Sequence, residues 1–180
     1  MLFFYSTVSA KVMSDPRERA VRALRRSDSV MSQSDDRYVV TSTAFDAELQ
    51  VQANDSHLVF DIELKIPMLD AATKQDVPEV VEDGWLDTFS LRMEDAASAT
   101  RGQDALTIET TQDEDVAVVR AEVEDIDAKR AVDDCVSVVE YAEGTYVEGI
   151  IPGYDYTGIV GGLVEKATET GGGTSGGPPL

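Results

Sequence analysis

The sequence has few of the residues on which most enzyme active sites and metal centres depend. Its 180 residues include one cysteine, Cys135, and one histidine, His57. A single cysteine excludes a disulfide framework within the chain, and a reducing compartment such as the cytoplasm is expected. A zinc site or a nucleophile–histidine triad needs more histidine or cysteine than this chain holds. The sequence therefore predicts neither a metal site nor a cofactor.

Long hydrophobic runs are also missing. No apolar stretch approaches the ~20 residues of a membrane-spanning helix, so no membrane partner is expected. The start, MLFFYSTVSA, has no basic residues ahead of its apolar run, which argues against a secretory signal. Met13 opens the segment MSDPRER, so residues 1–13 are interpreted as an extension or disordered start, with translation beginning at either Met1 or Met13.

Basic residues are scarce, and acidic residues dominate the charge. The chain has 35 aspartates and glutamates against 15 lysines and arginines, for a net charge of −20. Dense carboxylates with few lysines suit a protein that lives in multimolar salt, where screening removes the self-repulsion of such a charge. We therefore predict a halophilic cytoplasmic protein whose acidity is an adaptation to the solvent. A nucleic-acid mimic or a solubilising partner in ordinary salt is the alternative interpretation.

The arginines concentrate near the start of the chain. Asp15 as a cap, Pro16 in the first turn and Glu18 as the capping-box partner predict a helix there. Its apolar stripe is assigned to Val21, Leu24 and Met31. This basic helix is interpreted as packing on an acidic body. A nucleic-acid partner is the weaker alternative, because no aromatic residues lie between the arginines.

Two hairpins are predicted from alternating apolar and polar residues. FDAELQVQ and HLVFDIELKI each have one apolar and one polar face and are joined by the turn ANDS. LTIET and VAVVRAEVE form a second pair around TQDED. Long helices are predicted over residues 77–97 and 127–150. In the first, Val81, Trp85, Phe89 and Met93 share a stripe, and Gly84 is expected to let another element approach closely.

These elements predict an α+β fold in the order α-β-β-α-β-β-α. About four strands form a mostly antiparallel sheet, and helices pack on one face of it because the other face is polar. A single domain is assigned to residues 14–157, a short C-terminal helix to residues 158–170, and a flexible glycine-rich tail to residues 171–180.

Four of the six tyrosines are gathered in the stretch EYAEGTYVEGIIPGYDY, residues 140–156. Tyr146 falls on the apolar stripe of the last long helix, whereas Tyr141 lies on a smaller aromatic face. A tyrosine combines apolar area with a hydroxyl group that can bond a partner. The stretch is predicted to dock the chain's own C-terminal segment, and it is also the best candidate for a ligand or partner site. The candidate residues are Tyr141, Gly144, Thr145, Glu148, Tyr154, Tyr156 and Trp85.

Glu79, Asp83 and Asp87 follow one another at four-residue steps and could face a Mg²⁺ or Ca²⁺ ion from one side of a helix. In so acidic a chain such spacings arise often by chance, so a solvated face is the favoured interpretation. Cys135 lies on the apolar stripe of the last long helix and is interpreted as an inert core thiol.

Four segments together resemble a haloarchaeal family of small proteins of unknown function: TSTAFDAELQV, IPMLDAAT, DGWLDTFSLRMEDA and VEYAEGTYVEGIIPGYDY. The resemblance covers about residues 38–156 and implies a halophilic cytoplasm but no activity. The predicted order of elements is also similar to that of small α+β chaperone-like domains such as type III secretion chaperones. That similarity is at the level of the fold alone.

Two functions from different classes fit the sequence. The favoured hypothesis is a non-catalytic, chaperone-like protein-binding module, acting as a homodimer or on an unknown partner protein, because no catalytic constellation is present. The alternative is an enzyme or small-ligand-binding protein with a pocket between sheet and helices, near Tyr141, Trp85 and Tyr154. Nucleic-acid binding through the N-terminal arginines is the least favoured of the three hypotheses considered.

The composition predicts that folding depends on salt. The far-ultraviolet circular dichroism spectrum should show an ordered α+β protein in multimolar KCl and a loss of that order at low salt, because the repulsion among the carboxylates is then unscreened. A cooperative fold that is unchanged at low salt would contradict the halophilic interpretation.

Overall fold

The structure, a computed structural model, describes residues 15–34, 36–54, 57–102 and 106–171. The described residues form five α-helices, one 3₁₀ helix and one sheet. The predicted extension over residues 1–13, and all but the first residue of the predicted tail over residues 171–180, lie outside these ranges. The strands are β1 (Val30–Ser32), β2 (Tyr38–Val40), β3 (Asp46–Asn54), β4 (His57–Pro67), β5 (Leu106–Asp113) and β6 (Val116–Asp125). The helices are α1 (Pro16–Arg26), α2 (Leu69–Ala72), α3 (Glu79–Met93), α4 (Ala128–Glu148) and α5 (Gly158–Gly171), and a 3₁₀ helix (Glu94–Ala99) follows α3.

The sheet runs in the order β1-β2-β3-β4-β6-β5, with every neighbouring pair antiparallel. The α+β class and the antiparallel sheet are confirmed, and both predicted hairpins form, as β3 with β4 and β5 with β6. β6 lies beside β4, so β5 is an outer strand of the sheet.

The prediction of about four strands is wrong, because β1 and β2 bring the number to six. The order of elements is α-β-β-β-β-α-α-β-β-α-α, so the predicted order is also wrong, and the chaperone-like similarity drawn from that order has no support in the fold. Strands of three residues are too short to show the alternation that identifies longer ones. Met31, assigned to the stripe of the first helix, lies on β1 and is exposed.

One face of the sheet is apolar and buried, and the other is polar. Leu49, Ile62 and Ala121 are cross-strand neighbours on the buried face. On the polar face Glu63 pairs with Lys65 at 3.3 Å and with Arg120 at 3.2 Å. Partial burial acts to raise the pKa of Glu63, but the hydrogen bonds and charges of these two partners prevail, and the pKa is lowered.

α1 and α4 pack against the buried face. The Asp15 carboxylate caps α1 by accepting from the backbone N–H of Arg17 at 3.1 Å. α1 packs through Ala20 and Leu24, which are both fully buried. Among the described residues Arg17 is the one arginine of α1 that forms an ion pair, with Asp36. Apolar contact, rather than pairing with the acidic body, therefore holds this basic helix in place.

α4 is the central helix, and ten of its residues are buried. Cys135 is one of them, and burial, together with the nearby charge of Asp134, raises the pKa of its thiol far above the ordinary value. The Asp134 carboxylate accepts from the backbone N–H groups of Arg101 and Gly102 at 3.0 and 3.2 Å, which ties the segment after the 3₁₀ helix to α4. No helix of the described part is both long and apolar enough to cross a membrane.

The connection between β6 and α4 is held by an ion pair between the buried carboxylate of Asp125 and the exposed Arg130. Both carboxylate oxygens of Asp125 accept from the Arg130 guanidinium at 2.5 Å. Asp125 also accepts from the backbone N–H of Asp127 at 2.8 Å, while Asp127 caps α4 by accepting from the backbone N–H of Arg130 at 2.8 Å. The hydrogen bonds from Arg130 lower the pKa of Asp125, against the opposing effect of burial. One carboxylate thus joins the last strand to the central helix.

Replacing Asp125 with asparagine is expected to lower the free energy of unfolding by about 2 kcal/mol at pH 7, because Arg130 loses a charged acceptor. Since the folded pKa of Asp125 is lowered, its contribution is present above the ordinary aspartate pKa, about 3.9, and is lost as pH falls through the folded value. Urea unfolding at pH 7 and at pH 3 should therefore show a difference from the unsubstituted protein that shrinks at the lower pH.

The control for this substitution is Asp133→Asn on α4. Asp133 pairs with the exposed Lys129 at 2.6 Å, and surface pairs of this kind contribute under about 1 kcal/mol. Equal losses from the two substitutions at pH 7 would show that the Asp125 pair has no special role.

Candidate functional site

Aromatic contacts fix α3 against α4. Trp85 of α3 stacks on Phe89, one turn further along, with ring centroids 5.5 Å apart. The Trp85 ring also meets Tyr146 of α4 edge-on at 5.2 Å, and Tyr146 meets Phe45, just before β3, at 5.1 Å. Such pairs contribute about 0.5–1.5 kcal/mol beyond the area that they bury. The predicted core stripe of α3 thus forms its contact with the rest of the protein.

A groove of about 360 Å³ lies between α3 and the C-terminal end of α4. Its lining includes Trp85, Phe89, Thr145, Gly149 and Arg92. Arg92 is the one ionisable side chain among its lining residues, so the groove is mainly apolar. α3 lines it from residue 80 to residue 92, a length of about 18 Å at the rise of an α-helix.

The indole nitrogen of Trp85 lacks a hydrogen-bond acceptor. Trp85 is 6% exposed, and its Nε1 has no partner among the described residues. An indole nitrogen can only donate, and a buried donor left unpaired costs about 1–3 kcal/mol. A side-chain carbon at Gly149 would lie 3.2 Å from Nε1. That distance is shorter than an ordinary contact, so the absence of a side chain at Gly149 lets the end of α4 pack closely against the indole.

α3 is apolar on a second, exposed side. Val80 and Leu91 are 78% and 65% exposed, and Gly84 and Thr88 lie between them at helical spacing. Gly84 was expected to let another element approach closely. No described atom lies within 4 Å of the place where its side chain would begin, so no described part of this chain fills that position. We call Val80, Gly84, Thr88 and Leu91 the outer stripe of α3.

The candidate residues on α4 share one helical face, but their surroundings differ. Thr145 is buried and lines the groove. The Tyr141 hydroxyl donates to the backbone oxygen of Arg92 at 3.1 Å, and the Glu148 carboxylate lies 3.7 Å from the Arg92 guanidinium. Gly144 is exposed and has no described atom within 4 Å of its side-chain position. Of the seven candidates, Trp85 and Thr145 line the groove, while Tyr141 and Glu148 hold α4 to the end of α3.

Tyr154 and Tyr156 belong to the attachment of the C-terminal segment. The Tyr156 hydroxyl accepts from the backbone N–H of Ile151 at 2.9 Å and donates to its carbonyl at 3.2 Å. The backbone N–H of Thr157 donates to Ala72 at 2.8 Å, which ties the segment to α2. Tyr154 is half-buried against the core. These contacts agree with the predicted docking of the chain's own C-terminal segment.

The acidic residues of α3 do not assemble a metal site. Asp83 and Asp87 are exposed, and no group of three or more His, Cys, Asp or Glu side chains within the described ranges could hold a metal ion.

Gly149 and Val80 line the groove but were not among the residues predicted from the sequence. A glycine at the end of a helix is ordinary, and a valine outside the main apolar stripe gives no pattern of its own.

Residues 25–166 match a family of unknown function (DUF5813), and this range is more than half of the chain. The protein belongs to this family. The match begins within α1 and ends within α5, so the whole groove lies in the DUF5813 region. No curated protein and no solved structure matches the chain. Membership in DUF5813 assigns no activity, and the halophilic origin stays a prediction from composition and resemblance.

Tyr146 and Tyr156 form a natural pair for testing which hydroxyl stabilises the fold. The Tyr146 hydroxyl is buried without a partner among the described residues, and burial raises its pKa well above the ordinary value. Tyr146→Phe should leave the free energy of unfolding unchanged or raise it by up to about 1 kcal/mol. Tyr156→Phe should lower it by about 1–2 kcal/mol, because both bonds to Ile151 are lost.

Chemical denaturation of the two variants at pH 7 measures both effects. A large loss of stability in Tyr146→Phe would mean that its hydroxyl has a bonding partner, and would contradict the assignment of this group as unpaired.

Proposed function

We propose that the protein is a non-catalytic binding module of the cytoplasm, and that the groove between α3 and α4 takes an amphipathic helix of a partner protein. The observation that carries the proposal is the outer stripe of α3. A chain with a net charge of −20 nonetheless leaves Val80 and Leu91 largely exposed on the helix that lines the groove. Exposed apolar side chains beside a groove are typical of interaction sites.

The chemistry of the groove favours a helical partner over an extended one. The groove offers few hydrogen-bonding groups, so an extended segment would bury peptide groups without partners, whereas a helix bonds its own. Gly84 and Thr88 are small, which lets a second helix backbone approach α3 closely. The length of about 18 Å corresponds to roughly three helical turns.

Charge at the rim favours a partner with basic residues beside its apolar face. Asp83, Asp87 and Glu148 are exposed there, and among the described residues Asp83 and Asp87 form no ion pair. The same carboxylates disfavour a homodimer through α3, because two copies packed through this helix would bring like charges together at the rim. In multimolar salt charges are screened within a few ångströms, so the apolar stripe must supply most of the affinity.

An enzyme or small-ligand-binding protein is the alternative, and less supports it. The pocket expected between sheet and helices near Tyr141, Trp85 and Tyr154 has a different location, because the groove beside Trp85 lies between two helices. Tyr141 and Tyr154 do not line it. Acid–base chemistry needs a carboxylate, histidine or comparable group at the site, and the lining residues of this groove contain none.

Trp85 is the chain's one tryptophan, so its fluorescence reports directly on the groove. A synthetic helix of leucine and lysine, with leucine on one face, is expected to change this fluorescence saturably. A peptide of identical composition with its leucines scattered should not. Val80→Thr and Leu91→Gln should each weaken binding about tenfold, because apolar area is lost without a change of charge.

Ile126→Thr is the matched control, since Ile126 is 56% exposed but lies outside the groove. It should bind the peptide like the unsubstituted protein. Equal affinity for the amphipathic and the scattered peptide would show that charge alone drives the association, and the proposal would fail.

A further inference from the structure

We propose that the free edge of β5 is a second binding surface, which takes an extended segment of a partner protein as an additional antiparallel strand. The segment has apolar residues on one side and lysine or arginine on the other. No residue of β5 lines the groove between α3 and α4, so this surface is separate from the site proposed above.

The two edges of the sheet differ in length. β1 ends the sheet on one side with three residues, whereas β5 ends it on the other side with eight. None of the eight residues of β5 is buried. β5 pairs with β6 over its whole length without a bulge, and its sequence LTIETTQD has no proline, glycine or lysine. Short strands, bulges, prolines and lysines commonly block an edge against further pairing, and β5 has none of these.

The hydrogen bonds of the sheet determine which backbone groups of β5 point outward. The Met68 N–H donates to the Asp115 carbonyl at 2.8 Å, one step beyond the register of β4 with β6. Odd-numbered residues of β6 therefore bond toward β4, and even-numbered ones bond toward the odd-numbered residues of β5. The even-numbered residues of β5 face outward, and no described residue bonds to their backbone groups. These residues are Leu106, Ile108, Thr110 and Gln112.

The side chains at this edge determine which segment fits. Leu106 and Ile108 pack against the core but are only half-buried, so they leave apolar area at the edge. On the polar face Glu109 and Asp113 are exposed. In an antiparallel pair, side chains approach most closely where the two residues share no hydrogen bond, and these positions on β5 are the odd-numbered ones. Lysine or arginine in the segment would therefore lie directly opposite the two carboxylates.

The charges favour a basic segment over a second copy of this chain. Arg120, the cross-strand neighbour of Glu109, pairs with Glu63 at 3.2 Å, and Glu109 has no ion pair among the described residues. Two copies joined through β5 would bring together two acidic edges of chains with a net charge of −20. Multimolar salt weakens this preference, so the backbone hydrogen bonds and the apolar side chains must supply most of the affinity.

The test uses a peptide as long as β5, eight residues, that alternates valine with lysine and is blocked at both ends. It is added to ¹⁵N-labelled protein in multimolar KCl. The amide protons of the even-numbered residues of β5 should then exchange with solvent about tenfold more slowly, because each gains an acceptor. The amide protons of the odd-numbered residues already bond to β6 and should change little.

Two N-methylated forms of the peptide are the matched controls. In the proposed pairing the valine N–H groups point at β5 and the lysine N–H groups point away from it. Methyl groups on the valine nitrogens should therefore abolish binding, whereas methyl groups on the lysine nitrogens should leave it nearly intact. Equal binding of the two forms, or the reverse order, would overturn the proposed pairing.

Substitutions in the protein test the same contacts from the other side. Thr110→Pro removes one outward N–H and leaves the bonds to β6 in place, a change that an edge strand tolerates, and it should weaken binding about tenfold. Glu109→Gln should weaken binding about twofold, while Glu140→Gln, the same change of charge on the exposed side of α4, should have no effect. Slow exchange of the even-numbered amides in the free protein, together with a doubled particle mass, would show that a second copy occupies the edge and would refute the proposal.

Discussion

The edge-on contact between Trp85 and Tyr146 determines where α3 lies. α4 is set on the sheet by its own apolar stripe. α3 reaches that stripe through the Trp85–Tyr146 pair, supported by Phe89 and Phe45, while Tyr141 and Glu148 hold its C-terminal end. The indole nitrogen of Trp85 lies beside Gly149 at the end of α4. The contact that stabilises α3 therefore also creates the groove beside it.

Stability and binding make opposite demands at this point of the molecule. A core indole is best placed with its nitrogen bonded, and a well-packed helix pair leaves no groove. Here the indole nitrogen of Trp85 is buried without an acceptor among the described residues, and the outer stripe of α3 exposes apolar carbon to water. Departures from good packing that collect in one place are typical of functional sites. At Asp125, by contrast, both oxygens of the buried carboxylate accept hydrogen bonds from Arg130.

The strands and helices whose apolar residues recur at a regular spacing were predictable from the sequence. β3 and β4 alternate without a break, and α4 has a continuous apolar stripe, so both were expected. β1 and β2 were missed because their existence depends on pairing with β3, a long-range contact that three residues do not encode. For the site, composition directed attention to tyrosines, yet Tyr156 turned out to bond its own chain. The position of Gly149 beside Trp85 depends on how α3 meets α4, which no local pattern contains.

The strand order has a consequence for synthesis on the ribosome. β4 receives its second neighbour from β6 and not from β5, so one edge of β4 stays unpaired until the chain has grown past Asp125. At ordinary rates of translation this interval lasts roughly 3 to 12 s. During it the exposed backbone of β4 can pair with any other nascent strand. The regularly spaced carboxylates of β4, Asp61 and Glu63, would repel similarly acidic chains from that open edge while the ribosome completes the sheet.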